Sequence, residues 1–248
     1  MQQTTIINKL NDLRYEGFKT AYLRQIEDTS YNKLSFDERV YNLLEAQDIY
    51  LQNKRISMNS KLSKIKDKQA AIEDIEYSTK RKLDRALIKD LANMNFIRNH
   101  QNVIISGCTG TGKSFISQAI GNRAIVDGFK VYYIRVPTLL EEIKISRADG
   151  TYTNLLKKYS RFQLLILDDF GTSTISTDDT TNLFEIIEDR SEINSTIITS
   201  QLPVSSWYDY LNNETVADAI LDRIIHSSHR VELEGESMRK LRSKINKN

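Results

Sequence analysis

Eight residues carry the most specific chemistry in this chain: Gly107-Cys108-Thr109-Gly110-Thr111-Gly112-Lys113-Ser114. The spacing G-x-x-x-x-G-K-S is that of a phosphate-binding loop. Its glycines let backbone N–H groups close on a phosphate with no Cβ in the way. A helix N-terminus behind the loop adds a favourable dipole. In this reading Gly107, Thr109, Gly110, Thr111, Gly112, Lys113 and Ser114 bind the nucleotide. Lys113 reaches the β/γ-phosphates, and the Ser114 hydroxyl binds Mg²⁺. Fifty-five residues beyond Lys113, the apolar run Leu164-Leu165-Ile166-Leu167 ends in Asp168-Asp169. Asp168 is placed to orient Mg²⁺, and Asp169 to polarise an attacking water as a general base. Asp is one methylene shorter than the Glu common at that second position, so hydrolysis is expected to be slow. The polar end of Ser195-Thr196-Ile197-Ile198-Thr199-Ser200-Gln201 offers Gln201 to the γ-phosphate, with Ser200 and Thr199 behind it. Arg223 either pairs locally with Asp222 or Asp218 or serves a neighbouring subunit's nucleotide, where it would stabilise transition-state charge. Arg239 can reach the same or the adjacent γ-phosphate.

These groups need elements to hold them. Asn102–Ser106 reads as a buried strand, and Ser114–Val126 as the helix after the loop. Lys130–Arg135 reads as a second strand ended by Pro137, with a capped helix start at Thr138. Tyr152–Tyr159 and Asp178–Ile193 read as helices. The continuous apolar run at Leu164–Leu167 suits a central parallel strand covered on both faces, with its acids at the carboxyl end where open α/β sheets bind ligands. Val216–Ile225 reads as a helix and His229–Leu233 as a last strand. The fold class is α/β: a parallel sheet with flanking helices.

Residues 4–98 hold no proline and a single glycine, Gly17, which predicts an all-helical segment. Ser35-Phe36-Asp37-Glu38 reads as a capping box, opening a helix with Val40, Leu43, Leu44 and Ile49 on one side. Between Lys54 and Lys89, eleven Lys and Arg face five Asp and Glu. Such a basic segment can neutralise duplex phosphates without reading sequence, or it can be a solvated helix face. Over all 248 residues the net charge is only +2. The one cysteine, Cys108, excludes an internal disulfide and suits a reducing cytoplasm. His226 and His229 have no second ligand pair beside them, which argues against a metal site there. No stretch has the length and apolarity of a membrane span.

Taken together, Gly107–Ser114, Leu164–Gly171, Thr196–Trp207, Val216–His226 and His229–Lys240 resemble the IstB-type ATPases, helpers of bacterial transposition. More broadly the chain is similar to the DnaC-type helicase loaders of the AAA+ class. The resemblance implies an AAA+ ATPase domain over residues 81–248, preceded by a helical DNA- or partner-binding domain over residues 1–80. It implies ATP and Mg²⁺ as cofactors, with Walker A at Gly107–Ser114 and Walker B at Asp168-Asp169. Sensor 1 would lie at Ser200-Gln201, a trans-acting arginine finger at Arg223 and a sensor 2 arginine at Arg239. It further implies homo-oligomers on duplex DNA, little sequence preference, ATP hydrolysis stimulated by DNA or assembly, and stimulation of a partner transposase in the cytoplasm. A helicase loader of replication is the alternative. One departure from the wider class is that few residues follow Leu233, which leaves no room for a separate helical lid.

Overall fold

Among the described residues, five segments form strands: β1 (Asn102–Gly107), β2 (Val131–Arg135), β3 (Leu164–Phe170), β4 (Ser195–Ser200) and β5 (Ser228–Leu233). The computed structural model describes residues 3–77 and 81–238. All strand pairs are parallel, in the order β2-β3-β4-β1-β5. The central strands are buried on both faces, which is why their middles, Val103–Ile105, Leu164–Leu167 and Ile197–Ile198, are unbroken apolar runs instead of alternating.

The structure divides into two compact units, Met1–Met58 and Asn59–Asn248. The helices of the first are α1 (Gln3–Asp12), α2 (Glu16–Glu27) and most of α3 (Phe36–Leu62). The capping box is present: Glu38 N–H donates to Ser35 Oγ, and Ser35 N–H donates to Glu38 Oε2 at 2.7 Å. Within this unit Leu43 is buried, but Leu44 and Ile49 are exposed, so the expected single apolar side of α3 is corrected. Positions 43 and 44 are about 100° apart around a helix, and only the former is buried.

The second unit begins at Asn59. Residues 59–77 run along it as a strap. Gln118 Oε1 accepts from Lys66 N and Asp67 N, and Asn122 Nδ2 donates to Asp67 O and Ala70 O. Both side chains belong to α6 (Lys113–Val126). Ile65 is buried against Gly121 of that helix, where any Cβ would lie 2.9 Å from Ile65 Cδ1. After the strap come α4 (Arg85–Leu91) and α5 (Asn95–Arg98).

Between β2 and β3 lie α7 (Val136–Ala148) and α8 (Tyr152–Ser160). Pro137 does not end the strand with a gap. It sits in the first turn of α7, where its missing N–H would be unused in any case. The helix therefore starts before Thr138, which is not its cap. The next helix, α9 (Thr177–Glu188), is shorter than expected and opens on a second capping box, Ser176 with Asp179. Then follow α10 (Trp207–Tyr210) and α11 (Glu214–Ile225). At the amino end of the sheet Arg190 is almost fully buried. Its guanidinium is saturated by Tyr159 O, Phe162 O and Ser195 O at 2.6–2.8 Å. Burial pushes its pKa below the ordinary arginine value.

Candidate functional site

β1 delivers the loop at the carboxyl edge of the sheet. Gly107 has φ 145°, and a side chain there would run into Leu233 O of β5. The glycine is thus required by close strand packing as much as by phosphate. Thr111 Oγ1 donates to Cys108 O at 2.8 Å and braces the loop. Lys113 opens α6 and folds back, with Nζ donating to Gly107 O at 2.7 Å and Cys108 O at 2.8 Å. Burial lowers its pKa, while Asp168 and Asp169 oppose that shift.

Two consecutive acids on an ordinary strand would point to opposite faces. Here the pairing of β3 with β4 slips between Leu167 and Phe170, so one extra residue bulges out of β3. Asp169 takes φ 61°, a left-handed conformation that is strained for a residue with a Cβ. The bulge lets both carboxylates serve one site. Asp168 is 2% exposed and collects three hydroxyl donors. Ser114 Oγ donates to its Oδ1 at 2.9 Å, Thr199 Oγ1 donates to the same oxygen, and the Tyr133 hydroxyl donates to Oδ2. Burial and the Asp168 hydrogen bond push the Tyr133 pKa far up, so the phenol remains a donor. Thr199 Oγ1 also accepts from Asp169 N at 3.2 Å. Asp169 itself is paired with Arg135 at the end of β2, Nε to Oδ2 at 2.6 Å. That hydrogen bond raises the Arg135 pKa.

Gln201 follows the last residue of β4, and its Oε1 accepts from Thr109 Oγ1 at 2.6 Å. Ser200 Oγ is instead spent on Phe170 O at 3.0 Å. A cavity of about 410 Å³ opens over the loop. Its walls include Thr109, Gly110, Gly112, Lys113, Ser114, Asp169 and Gln201, which the sequence reading had grouped. They also include Asp74, Arg81 and Arg135, which it had not. No motif flags these three. Each comes from an element whose place beside the loop is set by tertiary packing.

Arg223 is elsewhere. Its carbonyl accepts from Nδ2 of Asn102, the first residue of β1, whereas the phosphate loop follows the last residue of that strand. Six residues of strand, roughly 20 Å at 3.3 Å each, separate the two ends. Arg223 therefore cannot serve the nucleotide of its own chain. Its local partner is Glu188 of α9, not Asp222 or Asp218, and its guanidinium lies 5.0 Å from the Phe184 ring centroid. The Glu188 hydrogen bond raises its pKa. Arg239 lies outside the described residues. In the basic segment, Lys61, Lys64 and Lys66 are exposed, but Lys68 Nζ is held by Ser60 O and Ser63 Oγ and Arg81 is buried.

Three comparisons bear on this arrangement. The family described as IstB-like ATP binding protein matches residues 8–246. An insertion-sequence ATP-binding protein of Sinorhizobium fredii is 39% identical over 94% of this chain and 95% of its own length. One from Pseudomonas fluorescens is 36% identical over 83% of this chain and 89% of that one. Among solved structures, the DnaC helicase loader superposes with TM-score 0.58 at 20% identity, covering 68% of this chain and 99% of that chain. AMPPCP-bound DnaA from Aquifex aeolicus superposes with TM-score 0.59 at 20% identity, over 75% and 57%. At such identities the structural likeness establishes the AAA+ fold of the core and nothing finer.

Proposed function

The chain belongs to the IstB-like ATP-binding family, and from that premise we propose that it hydrolyses ATP, assembles on duplex DNA and stimulates a partner transposase. The observation that carries the nucleotide part is convergence. Lys113, Ser114, Asp168, Asp169 and Gln201 come from β1–α6, β3 and β4, and meet at one edge of the sheet.

Ser114 Oγ and Asp168 Oδ1, 2.9 Å apart, form a hard oxygen pair suited to Mg²⁺, with phosphate oxygens and water completing its shell. Mg²⁺ there would neutralise charge on the β/γ-phosphates. The loop amides and Lys113 bind the polyphosphate, for which Lys113 Nζ leaves the carbonyls it now holds. Asp169 orients the attacking water once Arg135 releases it. Gln201 holds the γ-phosphate side from β4.

Assembly is supported by Arg223, which is stranded at the far end of the sheet from its own loop and is available to a neighbour's. The DNA reading rests on the exposed Lys61, Lys64 and Lys66, and the transposase reading on the insertion-sequence relatives. The relatives favour transposition over helicase loading, for which the structural likeness offers the fold alone.

The test is ATP binding and hydrolysis with and without duplex DNA, in the native chain and in Lys113→Ala. The native chain should bind ATP and hydrolyse it faster with DNA, and Lys113→Ala should lose nucleotide binding. Unaltered affinity in that variant sinks the assignment of the loop.

A further inference from the structure

Arg81 is a cationic side chain from outside the loop that is buried against it. It is 6% exposed. Its Nη2 donates to Thr111 O at 2.6 Å, and a Cβ on Gly112 would lie 2.9 Å from the same nitrogen. Nη1 donates to Glu76 O on the strap. The third nitrogen, Nε, also carries an N–H; it is buried and has no hydrogen-bond partner among the described residues. Buried polar groups are nearly always satisfied, and an orphaned donor on a cation in a cavity wall points to an acceptor that belongs there.

The cavity has a direction. Asp169, Arg135 and Gln201 mark the γ-phosphate end. Arg81, Asp74 and Phe115 line the same cavity; Arg81 is held at Thr111, just before α6, and Phe115 lies in the first turn of that helix. A nucleoside di- or triphosphate laid along the loop therefore carries its α-phosphate toward Arg81.

We infer that Arg81, which is bonded to the strap at Glu76 O, is a nucleotide ligand: its guanidinium binds the α-phosphate side of the bound polyphosphate. This rests on the nucleotide reading of the loop given above. The residue is built for that task. Its carbonyl accepts from Glu234 N at 3.1 Å, and the adjacent Lys82 pairs with Glu234 at 2.8 Å. The backbone is thus clamped to the exit of β5 while the head group remains on carbonyls that phosphate oxygens can replace. Arginine suits the site because its fork can keep one loop carbonyl while donating to an anion. Capture by the nucleotide also fixes the strap, which is tied to α6 through Gln118 and Asn122. Occupancy of the loop is then felt at Arg81 and along the strap.

The experiment compares ADP and adenosine binding, by calorimetry and ligand-observed NMR, to the native chain, Arg81→Ala and Arg81→Lys, with unfolding midpoints measured free of ligand. Arg81→Ala should weaken ADP by on the order of tenfold, the loss of one charge-assisted hydrogen bond. Arg81→Lys should lose less, and adenosine should bind all three alike. Equal ADP affinity in folded variants, or an equal loss for adenosine, overturns the assignment. In the native chain with labelled arginine, the Arg81 Nε–H resonance should move on saturation with ADP. A signal that stays put overturns the assignment even if both variants fail to fold. Failure of the native chain to bind ADP at all sinks the nucleotide reading itself, a separate outcome.

Discussion

At the scale of residues, the site is held by hydroxyls that no motif mentions. Asp168 is oriented by Ser114, Thr199 and Tyr133, and Tyr133 reaches it from the neighbouring strand β2. Groups that orient a metal's carboxylate are worth about 10–100-fold in metal affinity. Tyr133→Phe removes one oxygen and leaves the ring in place. We predict that half-maximal ATPase in this variant needs about tenfold more Mg²⁺. Nucleotide affinity in EDTA and the unfolding midpoint should stay near native. An unchanged Mg²⁺ titration would show that Tyr133 merely fills space. The residue reading anticipated Asp168 and Asp169 because an acid-terminated apolar run is local in sequence. It did not anticipate Arg135 or Tyr133, since β2 alone reads as any edge strand.

At the scale of elements, two features position the acids. One is the bulge in β3, after which Asp169 lines the cavity while the adjacent Asp168 is buried on Ser114 beside it. The other is α9, which follows the acids after a short turn and is started by Ser176. Ser176 Oγ accepts from Asp179 N at 3.1 Å, and Asp179 Oδ2 accepts from Ser176 Oγ at 2.7 Å. Lys144 of α7 pairs with the same carboxylate at 3.3 Å. Removing an N-cap costs about 1 kcal/mol. Ser176→Ala should lower the unfolding midpoint by roughly 2–4 °C, since a domain of this size dilutes each kcal/mol. Thermal denaturation followed by circular dichroism checks this. A midpoint within error of native would mean that Lys144 and Asp179 start the helix without Ser176. Helix existence was legible from apolar periodicity at Leu183, Ile186 and Ile187, all of which are buried. The cap was missed because Ser-x-x-Asp matches the box less closely than Ser-x-x-Glu, and only the packing against Lys144 shows the carboxylate engaged.

At the scale of the whole molecule, the separation of Arg223 from its own loop is the property that matters. A site finished by a neighbour predicts complementation between two defective chains. Arg223→Ala and Asp169→Asn proteins should each hydrolyse ATP poorly. Mixed, they should recover part of the native rate, because some interfaces pair an intact Asp169 with an intact Arg223. ATPase assays across mixing ratios, with assembly followed by light scattering, measure this. No recovery at any ratio while mixed assemblies form would return Arg223 to its local pair with Glu188. Among the described residues no helix is long and apolar enough to cross a membrane.

What the sequence determined by itself was the chemical inventory and its order along the chain. Gly107–Ser114, the acid-tipped strand and Gln201 are defined by residue type at short spacing, and short spacing survives any fold. The parallel sheet was equally legible, because a strand buried on both faces, such as Leu164–Leu167, tends to run apolar without alternation. Tertiary structure decided which of the many polar groups meet. The order β2-β3-β4-β1-β5 puts Tyr133 and Arg135 beside Asp168 and Asp169. Tertiary packing brings Arg81 to Thr111 across thirty residues. The length of β1 holds Arg223 away. Those outcomes depend on strand order, register and a single bulged residue, and each is fixed by packing between segments far apart in the chain.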